Sequence, residues 1–233
     1  MTSVTYGNKT ISYSLNRADR KTLAITVKPD MSVVVSAPHA AEQEAIERIL
    51  RKRSAWIVRQ QRFFAQFLPR TPARQFISGE THLYLGRQYR LRLRQAEAED
   101  VKLIAGYLYI YVEDTSDVGR VRELLCQWYT THAEARFNER LTACMQQIAG
   151  WSIPTPQLEI RSLVRSWGSC SPTGRLTLNI DLVRAPRACI DYVILHEICH
   201  LVHPNHSREF YKLLTTVLPD WRSRKTRLEK LLS

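Results

Sequence analysis

The chain has 233 residues, 44% of them hydrophobic and 24% charged, a balance that is ordinary for a globular protein. This composition excludes a disordered chain, and no apolar run approaches the ~18 residues of a membrane-spanning helix, so we expect no membrane partner. Lysine and arginine total 34 against 22 acidic residues, and the formal net charge of +12 attracts polyanions such as nucleotides and nucleic acid.

The start of the chain and the cysteines both bear on its compartment. The first residues contain no basic stretch followed by an apolar one, so a secretory signal is not expected. The five cysteines show no C-x-x-C spacing, which argues against a zinc knuckle or a disulfide framework. We therefore expect a cytoplasmic protein with reduced thiols.

The first half of the sequence alternates polar and apolar residues in the manner of β-strands. Period-two runs predict strands over 10–15, 22–27 and 32–36, the last two forming a hairpin. An apolar stripe at helical spacing predicts an amphipathic helix over 41–67. Further alternating runs over 82–112 predict a small antiparallel sheet. We assign residues 1–115 to a β-rich N-terminal region.

The second half is mostly helical in pattern. A long helix is predicted over 117–149, with Gly150 as its C-cap. Two strands follow over 158–164 and 175–182, and helices are then predicted over 188–202, 207–218 and 221–232. This order of strands, helices, strands and helices favours an α+β fold, with residues 116–233 as the second domain.

The most informative stretch is the H-E-x-x-H pattern of His196, Glu197 and His200. Residues four apart lie on one face of a helix, so the two histidines can present their rings to one metal ion. The carboxylate that follows the first histidine would lie beside the ion, where it can accept a proton from water. The pattern therefore predicts a metal centre with Glu197 as its general base.

A catalytic zinc ion needs three protein ligands and one open position, and two histidines compete for the third place. Pro204 cannot continue the helix, so His206 would return to the site from a turn. His203 lies on the same helical face, but about 4.5 Å further along the axis than His200. We therefore prefer His206, with His203 as the alternative.

A purely structural interpretation competes with the metal centre. The helix is apolar enough to be buried, and its histidines could simply pack or cap. Burying two imidazoles and a carboxylate without partners costs free energy, however, and a metal ion would satisfy all three. The residues therefore favour a metal centre.

Several segments resemble the YgjP-like metallopeptidases, a family similar to the SprT-like and WLM peptidases. The matching segments are Trp167–Cys170, Leu178–Asn179, Asp191–His200, Asn205–Ser207 and Leu218–Asp220. The resemblance implies a zincin-like catalytic domain in which the H-E-x-x-H helix packs on a small antiparallel sheet. It also implies that His196, His200 and His206 bind one Zn²⁺ and that Glu197 is the general base.

Two positions depart from the family pattern. Tyr211 stands where the family often has tryptophan, a change that keeps an aromatic ring. Ser166 precedes Trp167 where a basic residue is more usual, which would alter specificity if that residue contacts substrate.

Other side chains are candidates for contacts with the substrate or the transition state. Arg165, Tyr192 and Tyr211 could each supply a second electrophilic group, although a structural role is open for all three. Cys170 is interpreted either as a packed free thiol or as a fourth metal ligand. The strand over 175–181 could pair with an extended peptide at a sheet edge, or lie inside the sheet.

The function predicted from these residues is zinc-dependent hydrolysis of a peptide or protein substrate. Zinc lowers the pKa of its water to about 7, and Glu197 would take the proton during attack on the carbonyl. The same chemistry could serve a metal-dependent nucleotide pyrophosphatase, although no glycine-rich phosphate loop is found. The net charge leaves a nucleic-acid-associated peptidase as a further alternative.

Overall fold

The computed structural model describes residues 2–7, 9–28, 30–65, 74–164 and 166–232. The chain divides by its contacts into two compact units, Met1–Thr71 and Pro72–Ser233. The boundary predicted between residues 115 and 116 falls inside the second unit. The strands over 81–112 belong to that unit because they share a hydrophobic core with the long helix that follows them.

The first unit is a mixed four-stranded sheet with one helix. Its elements are β1 (Thr2–Tyr6), β2 (Lys9–Arg17), β3 (Ala24–Val27), β4 (Val33–Ala37) and α1 (Gln43–Ala65). The strand order is β1-β2-β4-β3; the predicted hairpin of β3 and β4 is present, and β2 pairs parallel to β4. Ile46, Leu50 and Ile57 of α1 form a core with the strands, as its apolar stripe requires. Residues 66 and 67 of the predicted helix lie outside the described residues.

The second unit begins with another four-stranded sheet, followed by a long helix. Its elements are β5 (Thr81–Tyr84), β6 (Arg87–Gln95), β7 (Asp100–Ile104), β8 (Tyr107–Val112) and α2 (Val118–Gln147). The sheet has the order β5-β6-β8-β7 and is mixed rather than antiparallel, because β6 and β8 run parallel. Leu91, Leu108 and Ile110 on its inner face are buried in one core with α2. Gly150 lies in a short 3₁₀ turn, and the C-cap of α2 is Ile148 instead.

The remaining elements form the part of the second unit that carries the candidate site. They are β9 (Gln157–Arg161), β10 (Gly168–Cys170), β11 (Arg175–Asn179), α3 (Arg187–Val202), α4 (Arg208–Val217) and α5 (Trp221–Leu232). The three-stranded sheet has the order β10-β11-β9, with β10 and β11 antiparallel and β9 and β11 parallel, so it too is mixed. The helix α3 contacts β10 and β11.

The α+β class is confirmed, as is the β-rich N-terminal region with its amphipathic helix. Every helix within the described ranges is too short or too polar to cross a membrane.

Candidate metal centre

The helix α3 places two histidines side by side. Its residues Ile190, Ile194 and Ile198 are fully buried, so the backbone of α3 is fixed in the core of the unit. His196 and His200, one turn apart, have ring centroids separated by 5.1 Å. The local helical period that the sequence indicates is therefore what brings the two imidazoles together.

His206 reaches the same point from the connection between α3 and α4. The helix α3 ends at Val202 ahead of Pro204, and Ser207 caps the start of α4 by accepting a hydrogen bond from the Phe210 N–H. This turn brings His206 Nε2 within 2.9 Å of His196 Nε2. One nitrogen from each of His196, His200 and His206 lies within 4.8 Å of the others.

His203 contacts the histidine cluster through its backbone, and its ring is not part of that cluster. Its backbone carbonyl oxygen lies 3.2 Å from His200 Nδ1, within hydrogen-bonding distance. A hydrogen bond from Nδ1–H fixes the tautomer and leaves the lone pair of Nε2 available, which is the arrangement of metal-binding histidines. Among the described residues, the histidine cluster consists of His196, His200 and His206, without His203.

The three imidazoles fit a divalent cation. Tetrahedral coordination at ~2.0–2.1 Å places ligand nitrogens roughly 3.3 Å apart. The nitrogens of this cluster lie within 4.8 Å of one another, with one pair at 2.9 Å. Burial, and then the charges of His200 and His206, lower the pKa of His196 to about 3, so its ring is neutral. Its Nδ1 is buried without a hydrogen-bond partner among the described residues. Three imidazoles with converging nitrogens are a donor set that suits zinc.

Phe210 packs against all three rings. Its ring centroid lies 5.0 Å from that of His196, 4.6 Å from that of His200 and 4.7 Å from that of His206. Phe210 is fully buried and lies on α4, one turn after His206. The apolar period of α4 indicated a core residue here, but nothing in the sequence indicated its contact with the histidines.

Glu197 lies half-buried beside the histidine cluster. Burial raises its pKa to about 7, and a hydrogen bond from the Cys170 backbone N–H to its carboxylate opposes that shift. A Cβ atom on Gly168 would lie 3.1 Å from Glu197 Cγ and 3.0 Å from Val193 Cγ1. Glycine at position 168 therefore allows β10 to lie directly against α3 at the carboxylate.

Two cavities, of about 450 Å³ and 660 Å³, meet at the histidine cluster. Both are lined by Gly168, His196, Glu197 and His206. Together they form a cleft that exposes both the candidate ligands and the candidate base to a substrate.

The other predicted site residues are distributed as follows. Tyr192 and Tyr211 line the smaller cavity, with ring centroids 5.7 Å from His196 and 6.0 Å from His206 respectively. Burial raises the pKa of Tyr192, so its hydroxyl stays protonated. Arg165 lies outside the described residues.

Cys170 lines the larger cavity but is not a member of the histidine cluster. Burial, and then the charge of Glu197, raise its pKa to about 11, which keeps the thiol protonated. Its Sγ lies 3.7 Å from the carbonyl oxygen of Ser171. A packed thiol accounts for these contacts.

Sequence reasoning missed two residues that line the cleft and the anchoring role of a third. Trp221 and Lys225 of α5 line the smaller cavity, and the basic, amphipathic pattern of α5 gave no sign of this. Asn179 is 3% exposed, and its side-chain amide donates to the carbonyl oxygens of Leu163 and Ser166 at 2.8 Å and 3.1 Å. It therefore anchors the segment that leads into β10.

Comparison with known proteins identifies the family. A family model described as "YgjP-like, metallopeptidase domain" matches residues 21–231. No curated protein matches the chain. A crystal structure of the metallopeptidase zymogen of Pyrococcus abyssi abylysin is 23% identical, with a TM-score of 0.36, over 40% of this chain and 90% of that one. At this level the structural likeness carries no argument. Because the family model spans nearly all of the sequence, the chain belongs to the YgjP-like metallopeptidases.

Proposed function

We propose that this protein hydrolyses peptide bonds with one Zn²⁺ ion held by His196, His200 and His206 and with Glu197 as the general base. The observation that carries the proposal is the convergence of three imidazole nitrogens within 4.8 Å of one another in a cleft that Glu197 also lines. Three histidine ligands leave a fourth tetrahedral position open, as hydrolysis requires.

When bound, zinc acidifies a water molecule and polarises the carbonyl oxygen of the substrate. The carboxylate of Glu197 accepts a proton as the water oxygen attacks the carbonyl carbon, and returns it to the amine nitrogen when the C–N bond breaks. The Cys170 backbone N–H, which donates to this carboxylate, orients it toward the cleft. Tyr192 and Tyr211 line the same cleft and are our candidates for contacts with the substrate. Arg165 remains a third candidate from the sequence alone.

The strand beside the cleft is β10, whereas the strand over 175–181, for which an edge and an interior position were both open, corresponds to β11. The strand β11 lies inside the sheet, between β10 and β9. The carbonyl of Trp167 and the N–H of Ser171 bond to β11, so the backbone groups of Gly168 and Cys170 point away from β11. We propose that the substrate lies along this outer edge of β10 at Gly168, because the Cys170 N–H is already bonded to the Glu197 carboxylate.

The experiment compares Glu197→Gln and His200→Ala, both for zinc content and for cleavage of an unstructured protein such as casein. Glu197→Gln should retain zinc and lose about 10²–10⁴-fold in turnover, because only the proton acceptor is removed. His200→Ala should lose both zinc and activity. Glu209→Gln, at an exposed site on α4, controls for the loss of one carboxylate. Full turnover by Glu197→Gln would contradict the assigned role.

The third ligand is tested by a matched pair of histidine variants. His206→Ala should lose zinc, whereas His203→Ala should retain it, because the carbonyl that His203 offers to His200 belongs to the backbone. The reverse order of zinc loss would assign the third position to His203.

One observation favours a second candidate, hydrolysis of a nucleotide or another pyrophosphate. Lys225 lines the smaller cavity, and its positive charge contributes to lowering the pKa values of His196 and His206. An ammonium group in the cleft suits an anionic substrate. This second function would be favoured over peptide hydrolysis if the protein released phosphate or pyrophosphate from nucleoside triphosphates but did not cleave casein. The release should then be lost in Glu197→Gln.

A further inference from the structure

The outer face of the sheet β5-β6-β8-β7 carries a regular array of arginine and tyrosine side chains. On β6 and β8 these residues pair in register as Arg90 with Tyr107, Arg92 with Tyr109, and Arg94 with Tyr111. We call this array the Arg–Tyr face. Because side chains alternate along a strand, the intervening residues Leu91, Leu108 and Ile110 point to the buried core shared with α2. The Arg–Tyr face is thus the side of the sheet opposite α2.

The three tyrosines form a continuous row along β8. Ring centroids are 6.0 Å apart for Tyr107 and Tyr109, and 6.4 Å apart for Tyr109 and Tyr111, whose planes are inclined by only 24°. These spacings match the rise of two residues along a strand, roughly 6.6 Å. All three side chains are half-buried, so each ring is packed in place while part of it remains accessible. Rigid, accessible aromatic rings at regular intervals are suited to stacking with flat ligand groups.

The β6 side of this row carries positive charge, and the β7 side carries an ion pair. Arg90, Arg92 and Arg94 of β6 are exposed, and the Arg92 guanidinium lies 4.5 Å above the Tyr107 ring. On β7, Lys102 pairs with Tyr109 in register, and its Nζ lies 5.5 Å from the Tyr111 ring centroid. The one acidic side chain on this face of β7 is Asp100, which Lys102 contacts at 3.1 Å. In the described part of the chain, none of Arg90, Arg92 and Arg94 forms an ion pair with a carboxylate.

In a purely structural explanation, arginine and tyrosine only stabilise the sheet through cross-strand pairs, which contribute roughly 0.2–1 kcal/mol each to its stability. That explanation accounts for the tyrosines but not for three like charges at alternate positions of one strand, because these repel one another. A bound polyanion removes the repulsion. The combination of a cationic row and an aromatic row therefore favours a ligand with both negative charges and flat rings.

We propose that the Arg–Tyr face binds single-stranded nucleic acid. Bases stack on the rings of Tyr109 and Tyr111, and the phosphates lie along Arg90, Arg92 and Arg94 of β6. A four-stranded sheet with exposed aromatic side chains can hold two or three unstacked bases in this way. A duplex cannot bind equally well, because its bases are stacked on one another and its phosphates alone would be available.

The test measures binding of the full-length protein, with zinc, to a fluorescent oligonucleotide of about 12 nucleotides, a length within the usual single-strand site sizes. The probes are oligo(dT), oligo(U) and a duplex DNA of equal length, so that DNA and RNA are distinguished. The variants Tyr109→Leu and Tyr111→Leu keep an apolar side chain but remove the π-face. Tyr109→Phe keeps the π-face and removes only the hydroxyl. Tyr6→Leu, at an exposed strand position in the first unit, is the aromatic control.

Each leucine variant should weaken binding to at least one single-stranded probe by about five-fold to a hundred-fold, the usual effect of losing one stacked base. Tyr109→Phe and Tyr6→Leu should bind like the wild type, and casein cleavage should be unchanged in all of them. Arg92→Gln should lower the salt dependence of binding by about 0.7 in the log–log slope, as expected for one phosphate contact, whereas the control Arg227→Gln on α5 should not.

Three results would overturn the proposal. The first is binding to the duplex as tight as to the single strands, and the second is indifference of single-strand binding to both leucine variants. The third is an equal effect of Arg92→Gln and Arg227→Gln, which would indicate a general attraction of the net charge. None of these results depends on peptidase activity, so failure of the nucleic-acid proposal would leave the proposed peptidase function unaffected.

Discussion

Phe210 is the side chain against which the three imidazoles of the candidate centre rest. Its ring lies within 5.0 Å of each of them, centroid to centroid, and is itself fully buried. The orientation of His206 depends on this contact more than that of the other two histidines, because His206 is exposed and lies on a turn. Packing at one buried residue can thus decide whether three separate side chains converge.

Replacing Phe210 by leucine should lower the affinity for zinc by about tenfold, the lower end of the range for residues that orient metal ligands. Leucine fills much of the space but does not present a flat face to His200. Zinc affinity is measured by competition with a chromogenic chelator. Phe137→Leu is the matched control, since Phe137 is equally buried in the same core but contacts none of the three rings. Equal zinc affinities in the two variants would contradict the role of Phe210.

At the scale of elements, the site depends on how closely β10 lies against α3. Gly168 is the point of closest approach, since a Cβ there would meet Val193, Glu197 and the carbonyl oxygen of Thr177 at 3.0–3.2 Å. The Cys170 N–H, two residues along, donates to the carboxylate of Glu197. A small displacement of β10 therefore moves both the proposed general base and the proposed substrate edge.

Gly168→Ala should reduce kcat by about tenfold to a hundredfold without loss of zinc, because β10 must shift by a few tenths of an ångström or more. The histidines, which α3 and the turn before α4 supply, stay in place. The measurements are casein cleavage and zinc content. Gly150→Ala, where an added Cβ meets nothing within 4 Å, serves as the control. Loss of zinc together with activity would show instead that β10 supports the ligands themselves.

At the scale of the whole molecule, each unit has a hydrophobic core of its own. The candidate centre belongs entirely to the second unit, with its ligands on α3 and on the turn that follows. Zinc at the proposed site would bind the folded form of that unit, so its binding free energy would add to the stability of that unit alone, by about 2.7 kcal/mol at a hundredfold excess over Kd.

Zinc should therefore slow hydrogen exchange in α3 and α4 but not in α1 or the strands β1 to β4. The measurement is hydrogen–deuterium exchange by mass spectrometry, with zinc and with a chelator. His200→Ala should show no difference between the two conditions. Equal protection of both units, or none, would contradict a zinc site confined to the second unit.

The sequence predicts those features of the fold and the site that depend on interactions between residues close together in the chain. The candidate ligands His196 and His200 and the neighbouring Glu197 follow from a helical period, which is local. His206 follows from the turn chemistry of Pro204. By contrast, β10 is three residues long and contains Gly168, so it has no readable period. The parallel pairs β6–β8 and β9–β11 join strands distant in sequence, and no local pattern encodes them.

Tertiary contacts alone bring the remaining cleft residues into place. Lys225 and Trp221 line the cleft because α5 packs beside α3, and Phe210 meets the histidines because α4 turns back on α3. Their residue types are ordinary for amphipathic helices, so the sequence could indicate burial or exposure but not the site.

The central claim is that three imidazoles converge on one divalent ion beside Glu197, and anomalous diffraction from a crystal grown with zinc tests it most directly. We expect one anomalous peak at the zinc edge, bound by His196, His200 and His206 at ~2.0–2.1 Å. A crystal with zinc in the solution but no peak among these rings, or a peak bound by His203 in place of His206, would contradict the account.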